Sequence, residues 1–395
     1  MAEEMRWKYF SDDRDARLGR SLSGTNLALA GDYNQRIVLQ SIRRHDMVTR
    51  SQLVAMTGLT APTIMNITRR LLEQGLIVNC GRTEGARGQP AMRFMVNADG
   101  CHAFGVNIDR DQLTVVLLDL AGRVRALRRH DEAFLLPEAA RTIIAGLMRS
   151  ILDETGIDVD RIIGLGVAVP DDLGKVPLRR MPEGYAIWTD TDVGALLRPI
   201  WSGPLHIDND AAAAAIGEAQ FGLGLVHPSF FYILVMAGLG GGVVLDGVYH
   251  RGAAARSGEL GFLPHGDGML QDVVSLSGLR HRLAGAETAA DREAALEGWL
   301  DDAALALVPV VAAINCLINP DAILIGGGLD RDVAARLIRR IQDMAGRTTS
   351  RKIPAEAALA IARIYDHAAA IGAAILPFLD QLLPTEGSLM KRPGD

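Results

Sequence analysis

The chain has 395 residues, which is too long for one ordinary hydrophobic core and enough for two or three compact units. Hydrophobic residues make up 49% and charged residues 22%, as in soluble globular proteins, and the three cysteines lie too far apart for a disulfide framework or a zinc knuckle. The net charge of −6 divides unevenly, because residues 32–97 carry nine arginines against four carboxylates, a net +5, whereas residues 98–395 carry −11.

A small basic module ahead of a large acidic one is typical of a nucleic-acid reader fused to a second domain. Residues 1–31 are polar, mixed in charge and without sustained periodicity, and they predict a flexible N-terminal arm. The arm lacks the apolar core of a secretory signal, so a cytoplasmic protein is expected. From residue 32 to residue 97 the pattern predicts three helices followed by a two-stranded wing, with the first helix at residues 34–44.

Capping residues mark the second and third helices. Thr49 with Gln52 three residues later forms a capping-box pattern, and Thr60 is the expected N-cap of the third helix. Gly58 lies between them, where a helix-turn-helix needs a turn. The third helix carries an apolar stripe for burial at Ile64, Ile67, Leu71 and Leu72.

The opposite face of the third helix is the expected DNA-reading surface, since the start of this helix meets base edges in the major groove. Asn66 can pair bidentately with adenine, and Thr63 can contact a thymine methyl group or a phosphate. The wing tip, Gly85-Ala86-Arg87-Gly88, is slim enough for a narrow minor groove. The residues expected to contact DNA are Arg50, Thr60, Thr63, Met65, Asn66, Arg69, Arg70, Arg87 and Gln89. A small helical protein-interaction module is the alternative interpretation.

After Cys101, apolar runs alternate with helix-like Ala, Leu and Arg segments, which predicts an α/β fold. The expected strands are Ala103–Ile108, Thr114–Leu120, Ile162–Val169, Phe231–Met236, Gly242–Leu245 and Ala322–Ile325. Residues 226–245 and 303–320 are uncharged. We expect a strand, a glycine loop and a second strand in the former and a buried helix in the latter, not membrane spans, because proline and glycine or asparagine interrupt them.

These motifs resemble the ROK family, named for repressors, unclassified open reading frames and kinases. Within the basic module, the resemblance to the winged helix-turn-helix of the repressor branch rests on Asn34-Gln35-Arg36, Leu59-Thr60-Ala61-Pro62-Thr63-Ile64, Gly75-Leu76-Ile77 and Gly85-Ala86-Arg87-Gly88-Gln89-Pro90. The remainder, as far as Gly372, is similar to ROK sugar kinases. The resemblance implies an actin-like, two-lobed ATPase fold preceded by an α+β winged domain, with lobe 1 at residues 98–203, lobe 2 at 204–395, and the C-terminal helix returning to lobe 1.

The segment that matches the first phosphate loop of ROK kinases has lost its glycines. The family pattern is Gly-x-Asp-x-Gly-Gly-Thr, and this chain has Asn107 for the first Asp, then Asp109, Arg110 and Asp111 for Gly-Gly-Thr. Side chains fill the space that glycines leave for a phosphate, and a carboxylate about 4 Å from it costs roughly 4 kcal/mol at an effective dielectric near 20. The glycines of the second phosphate loop remain at 238–242, and those of the adenosine-side turn remain at 326–328, where the fold itself can require them. We therefore expect no phosphotransfer, no enzyme activity and no cofactor.

The segments that bind the sugar in ROK kinases are matched more closely by this chain than the first phosphate loop is. Asp208-Asn209-Asp210-Ala211 resembles the family's Asn-Asp-Ala segment, in which Asp is the general base, and Gly258-Glu259 resembles its Gly-Glu-Ile-Gly-His. Phe262 replaces the zinc-binding His, and no cysteine lies between residues 101 and 316, so no metal is expected. The expected ligand-binding residues are Asn209, Asp210, Gly258, Glu259 and Gln271, the last in place of a sugar-binding Glu. A polar cluster left over from an ancestor is the alternative.

The resemblance implies a DNA-binding transcription regulator, a repressor, of carbohydrate-related genes, with a kinase-like domain that senses a sugar or sugar derivative. The expected partners are a palindromic double-stranded DNA operator, a sugar effector and other copies of the chain in a homodimer or tetramer, without a membrane. Two alternatives remain open. One is an active ROK sugar kinase, and the other is a regulator whose ROK domain serves only for dimerisation or protein docking.

Overall fold

The computed structural model describes residues 27–82, 91–171, 173–174, 182, 184–252, 257–348 and 356–385. The chain divides into two compact units. The first comprises residues 1–101 and 378–395, and the second comprises residues 102–377.

Between residues 27 and 96, the described part of the first unit contains three helices and a three-stranded antiparallel sheet in the order β1-β3-β2. Its elements are α1 (Leu27–Arg43), β1 (Val48–Thr49), α2 (Arg50–Thr57), α3 (Ala61–Glu73), β2 (Ile77–Arg82) and β3 (Met92–Val96). The expected three helices and two-stranded wing are confirmed, and β1 adds a third strand by pairing Val48 with Phe94. Helix α1 begins seven residues before the expected start, so residues 27–31 are helical and do not belong to an arm.

Local capping forms the helix-turn-helix as the sequence predicts. The Oγ1 atom of Thr49 accepts from the Gln52 amide at 3.3 Å, and the Gln52 side chain accepts from the Thr49 amide at 2.8 Å. Gly58 ends α2 with φ +68°, a conformation that favours glycine, and Thr60 is the N-cap of α3. These caps fix where α3 starts, and α3 then buries Ile64, Thr68 and Leu71.

The second unit begins with a five-stranded sheet in the order β6-β5-β4-β7-β8. Its elements in chain order are β4 (His102–Ile108), β5 (Leu113–Asp119), β6 (Val124–His130), α4 (Pro137–Thr155), β7 (Ile162–Val169), α5 (Val193–Leu197) and β8 (Leu205–Asn209). Strands β4, β7 and β8 are parallel, and the β4-β5-β6 meander is antiparallel. Because β8 pairs with β7, the first sheet includes residues 205–209, beyond the boundary expected at residue 203.

A second five-stranded sheet follows in the order β11-β10-β9-β14-β15. The remaining elements are α6 (Asp210–Phe221), β9 (Phe230–Val235), β10 (Leu239–Leu245), β11 (Val248–Tyr249), β12 (Pro264–His265), β13 (Gly268–Met269), α7 (Leu270–Val273), α8 (Leu276–Leu283), α9 (Ala289–Leu317), β14 (Ala322–Gly327), α10 (Arg331–Thr348), β15 (Ala358–Ile361) and α11 (Ala368–Gln381). Residues from α9 and α10 form a large apolar core against this sheet.

Helices α6 and α11 pack closely against each other and against the first sheet. A Cβ atom added to Gly166 on β7 would lie 1.8 Å from the carbonyl oxygen of Ala373, and one added to Gly372 would lie 1.8 Å from that of Ala213. Alanines at 168, 213, 369 and 373 fill the rest of this contact. Small residues therefore allow the backbones to approach, which positions the start of α6 at the end of β8.

The two uncharged stretches fold as expected. Residues 226–245 form β9, a turn and β10, and residues 303–317 form the second half of α9. Within the described part of the chain, α9 is the helix that is long and apolar enough to span a membrane by length and composition, and 44% of its most apolar window is buried. Pro309 lies inside α9 and does not end it.

Candidate functional site

The outer face of α3 carries most of the residues expected to contact DNA. Met65, Asn66, Arg69 and Arg70 are exposed on this face, opposite the buried stripe. The Oδ1 atom of Asn66 accepts from Arg69 Nη2 at 3.1 Å. The surface is therefore polar and cationic, as a helix that enters the major groove requires.

Three of the other expected DNA contacts are tied into the fold. Thr60 and Thr63 share a hydroxyl hydrogen bond of 2.8 Å, which orders the first turn of α3. The Nε atom of Arg50 donates to Thr68 Oγ1 at 2.9 Å, and its guanidinium stacks 5.0 Å from the centroid of the Phe94 ring. Arg50 thus joins α2, α3 and the wing, and its Nε atom is not available to DNA. Arg87 and Gln89 lie outside the described residues.

The expected ligand-binding side chains come together in one cleft of the second unit. Four of the five expected residues line it, together with Asp109, Arg110, Asp171 and Phe262. Those four are Asn209, Asp210, Glu259 and Gln271. Gly258, the fifth, has φ +84° and packs against the backbone of Gly241, where an added Cβ atom would lie 2.6 Å from the carbonyl oxygen.

Asn209 and Asp210 are positioned by the junction of β8 and α6. Asn209 is the N-cap of α6, and its Oδ1 atom accepts from the amides of Ala211 at 2.9 Å and Ala212 at 3.1 Å. The Asp210 carboxylate, in a residue 9% exposed, accepts from the Ala211 amide at 2.8 Å. The junction therefore places both side chains on the wall of the cleft.

An ion pair next to this junction joins the two sheets. Both carboxylate oxygens of Asp208, at the end of β8, accept from Arg251, at 3.0 and 2.6 Å. The hydrogen bond raises the pKa of Arg251 above its usual value. Arg251 follows β11 on the second sheet, so this pair links the end of the first sheet to the edge of the second.

Arg110 occupies the end of the cleft beside Gly238. It is 5% exposed, and its guanidinium nitrogens lie 3.0 and 3.7 Å from where a Cβ atom of Gly238 would be. The loop is held by Asp109, whose carboxylate accepts from the Arg110 amide at 2.7 Å. With these side chains in place the cleft has a volume of about 30 Å³, which holds one or two water molecules and no sugar.

The glycines of the second loop are explained by packing. A Cβ atom on Gly240 would lie 2.7 Å from the Ala211 Cβ, and one on Gly242 would lie 2.6 Å from the Ala215 Cβ. Helix α6 therefore lies directly on β10 and leaves no room for side chains there. The sequence interpretation that the fold itself requires these glycines agrees with this geometry.

The described residues between Glu259 and Gln271, where the family resemblance would place a zinc site, form no cluster of metal ligands. Phe262 is 38% exposed at the edge of the cleft, and His265 is exposed on β12. Among the described residues no group of three His, Cys, Asp or Glu side chains is placed to hold a metal ion. Gln271 is 8% exposed, and its Oε1 atom lies beside Gly238 and Gly261, so it lines the floor of the cleft.

Residues 103–273 match the model of the ROK family. The chain is 28% identical over 361 residues to the uncharacterised protein y4fQ of Sinorhizobium fredii, covering 87% of this chain and 90% of that protein. It is 25% identical over 230 residues to a xylose repressor of Bacillus spizizenii, covering 58% of this chain and 60% of the repressor. The match thus spans less than two thirds of the repressor's length.

Two solved structures share the fold. A ROK family transcriptional regulator, a homologue of the Escherichia coli MLC protein, has a TM-score of 0.68 and 23% identity, and the match covers 91% of this chain and 98% of that one. A ROK family glucokinase from Streptomyces griseus has a TM-score of 0.54 and 20% identity, covering 70% of this chain and 98% of that one. The regulator match covers more of the chain than the kinase match does, and together they show the expected ROK fold.

Proposed function

We propose that this chain, whose residues 103–273 form a ROK family domain, is a cytoplasmic DNA-binding transcription regulator that represses carbohydrate-related genes. The observation that carries the proposal is the outer face of α3, where Asn66, Arg69 and Arg70 are exposed opposite the buried Ile64 and Leu71. These polar and cationic side chains cannot pack in a protein core, whereas they can form hydrogen bonds with base edges and phosphates. The xylose repressor among its relatives supports the same role and the link to sugars.

The regulator is proposed to bind a palindromic operator as a homodimer or tetramer, because one winged domain contacts only a half-site. Thr63 and Asn66 would read bases, and Arg69 and Arg70 would hold phosphates. Arg87 and Gln89 would add wing contacts in the minor groove.

The kinase-like domain is proposed to have lost phosphotransfer. The Arg110 guanidinium lies over Gly238, where a transferred phosphoryl group would need space, and Asp109 and Asp111 bring carboxylates to the same loop. The alternative, an active sugar kinase, is favoured by Asp210, whose carboxylate lies in the cleft beside Asn209 as a general base would. Incubation of the purified protein with ATP-Mg and a panel of hexoses decides between them, and hexose-dependent ADP formation would establish the kinase.

A sugar or sugar derivative is the proposed effector, held by Asn209, Asp210 and Glu259 with Gln271 at the floor, while Gly258 supports the cleft through its packing against Gly241. Since the cleft has room for one or two water molecules, a sugar must displace Arg110 or widen the cleft. Such a ligand binds one state of the domain better than the other, which is the condition for any effect on DNA binding. The alternative is a ROK domain that serves only for assembly.

Selection of bound sequences from a random DNA library, followed by fluorescence anisotropy, tests the DNA-binding role. We expect Asn66→Ala to weaken binding to the selected site by about 1–3 kcal/mol and to leave binding to random DNA nearly unchanged. Thr142→Ala, at an exposed position of α4, is the matched control. No enriched sequence, or equal loss on both DNAs, contradicts specific reading by α3. Adding sugars to the same assay, with wild type and Glu259→Ala, tests the effector role.

A further inference from the structure

A second cavity of the second unit is larger than the ligand cleft and is not explained by the proposed function. Its volume is about 250 Å³, against about 30 Å³ for the cleft, and Met236 lines both. It lies among the β4–β5 turn, the Gly327-Gly328 turn and the start of α11. A volume of this size has room for a compact ligand of about a dozen non-hydrogen atoms.

Two residues that line this cavity each hold a buried acceptor atom that has no donor among the described residues. Asn107, on β4, is 4% exposed, and its Oδ1 atom has no hydrogen-bond partner in the structure. The Oδ1 atom of Asp111 is likewise buried without a partner, whereas its Oδ2 atom accepts from Arg280 across the cavity mouth. A buried acceptor without a donor is costly, and a bound molecule that carries hydroxyl or N–H groups would remove this cost.

Donors face the same space. Arg129, on β6, lines the cavity, and Arg331 lines it while stacking 4.7 Å from the centroid of the Tyr365 ring. His367 is held at φ +58°, an unusual conformation for a side chain of this type, just before α11. Burial, and then the nearby charge of Arg129, lower the pKa of His367, so its ring is neutral near pH 7 and can both donate and accept.

The charges of the lining nearly cancel. Three guanidinium groups, from Arg129, Arg280 and Arg331, face three carboxylates, and His367 adds no charge when neutral. The carboxylates belong to Asp111, Asp330 and Asp366. An anion such as a nucleoside triphosphate would gain little net electrostatic attraction here. A neutral molecule with many hydrogen-bonding groups matches a lining of near-zero net charge better.

We propose that this cavity binds a neutral polyhydroxylated molecule, a free sugar or cyclitol, whose hydroxyl groups donate to Asn107 and Asp111 and accept from Arg129. The site goes beyond the proposed function, because it shares none of the expected sugar-binding residues. A regulator with both sites would bind two small molecules per chain.

Isothermal titration calorimetry on the full chain tests the proposal, with D-glucose, D-xylose, myo-inositol, adenosine and ATP-Mg as probes. We expect at least one of the three polyols to bind and Asn107→Leu to weaken it tenfold or more. Arg129→Gln, at a position 47% exposed that tolerates change, is the second variant and should weaken the same polyol similarly. Arg141→Gln, on α4 away from the cavity, should leave the affinity unchanged.

The outcomes separate the two sites. Polyol binding that is lost in Asn107→Leu and Arg129→Gln and kept in Glu259→Ala supports the cavity. Binding that is lost only in Glu259→Ala overturns the proposal and leaves the effector at the cleft. No polyol binding, or binding of adenosine or ATP-Mg alone, also overturns it. None of these results depends on operator binding. A protein that binds no specific DNA would contradict the proposed regulatory function and leave the cavity proposal untouched.

Discussion

At the scale of single residues, a substitution at Gly242 tests whether the glycines of β10 are required for packing or for binding a phosphate. An alanine there would place its Cβ atom 2.6 Å from the Ala215 Cβ and 3.1 Å from the Ala211 carbonyl oxygen, so α6 would have to move off β10. We expect Gly242→Ala to lower the free energy of unfolding by about 1–3 kcal/mol, as overpacked cores do, with or without ATP. Urea denaturation followed by circular dichroism measures the change.

Gly146 supplies the opposite case in the same unit. It is exposed on α4 with open space around its Cβ position, so Gly146→Ala should raise the free energy of unfolding by about 0.5–1 kcal/mol. The packing role would be contradicted if the Gly242→Ala protein were as stable as wild type while the Gly146→Ala protein were more stable. Close packing of α6 on β10 would then not require glycine at position 242.

His367 makes the second unit sensitive to acid. Its pKa in the folded protein lies below its usual value because of burial and Arg129, so below about pH 6.5 the unfolded chain takes up a proton that the folded chain resists. The free energy of unfolding should therefore fall as the pH drops through this range and be fully retained above it. His367→Gln should flatten the dependence of the melting temperature on pH between 5 and 7. His281→Gln, exposed on α8, should keep the wild-type slope.

At the scale of elements, Arg36 contacts the end of α11 within the first unit, to which residues 378–395 belong. Arg36 on α1 is 12% exposed, and its Nη1 atom donates to the carbonyl oxygens of Asp380 at 2.7 Å, Leu383 at 3.3 Å and Leu379 at 3.4 Å. These carbonyls lie in and just after the last turn of α11, where the helix dipole favours a cation.

Arg36→Gln should release the end of α11. Hydrogen bonds from a charged donor contribute about 1.5–3 kcal/mol, so we expect a loss of this order in the free energy of unfolding of the first unit. Hydrogen exchange should be faster at residues 378–383 and unchanged in α4. Arg141→Gln removes only a surface pair with Glu138 and should change stability by less than about 0.5 kcal/mol. Unaltered exchange at residues 378–383 would rule out the capping role.

Elements with local signals could be predicted from the sequence, and those set by distant contacts could not. Thr49, Gly58 and Thr60 fix the helix-turn-helix through neighbours within three residues, and their roles are confirmed. Strands β6 and β15 were not predicted, because Val124–His130 is rich in arginine and Ala358–Ile361 in alanine. Both are edge strands, whose pairing with β5 or β14 outweighs their weak propensity.

The candidate sites show the same division. Asn209, Asp210, Glu259 and Gln271 were predicted as a group from a resemblance, and the fold brings them into one cleft. The position of Arg110 above Gly238 was not predicted, since it depends on where two loops 128 residues apart meet. The 250 Å³ cavity was not predicted as a ligand site. Its lining includes Asn107, Asp111 and the Gly327-Gly328 turn, which the sequence analysis matched to the nucleotide-binding segments of ROK kinases, and the other lining residues are spread as far as residue 369.

At the scale of the whole molecule, the charge of +5 at residues 32–97 and of −11 beyond them divides the protein into a part that attracts DNA and a part that repels it. DNA binding should therefore depend on a few local phosphate contacts made by α3 and the wing, and not on long-range electrostatic attraction by the protein as a whole. The salt dependence of the affinity counts these contacts, because each neutralised phosphate contributes about −0.9 to the slope of log K against log salt.

Arg70→Gln should make that slope shallower by about 0.9 if one winged domain binds the operator and by about 1.8 if two bind it. Arg70 is exposed on α3, and among the described residues it makes no side-chain hydrogen bond like the one from Arg50 to Thr68, so the change should leave the fold intact. Anisotropy titrations between 50 and 300 mM salt give the slope, with Arg149→Gln on α4 as the control. A difference near 1.8 supports the paired half-sites of a palindrome. An unchanged slope would mean that Arg70 does not reach a phosphate and that α3 docks differently from the proposed geometry.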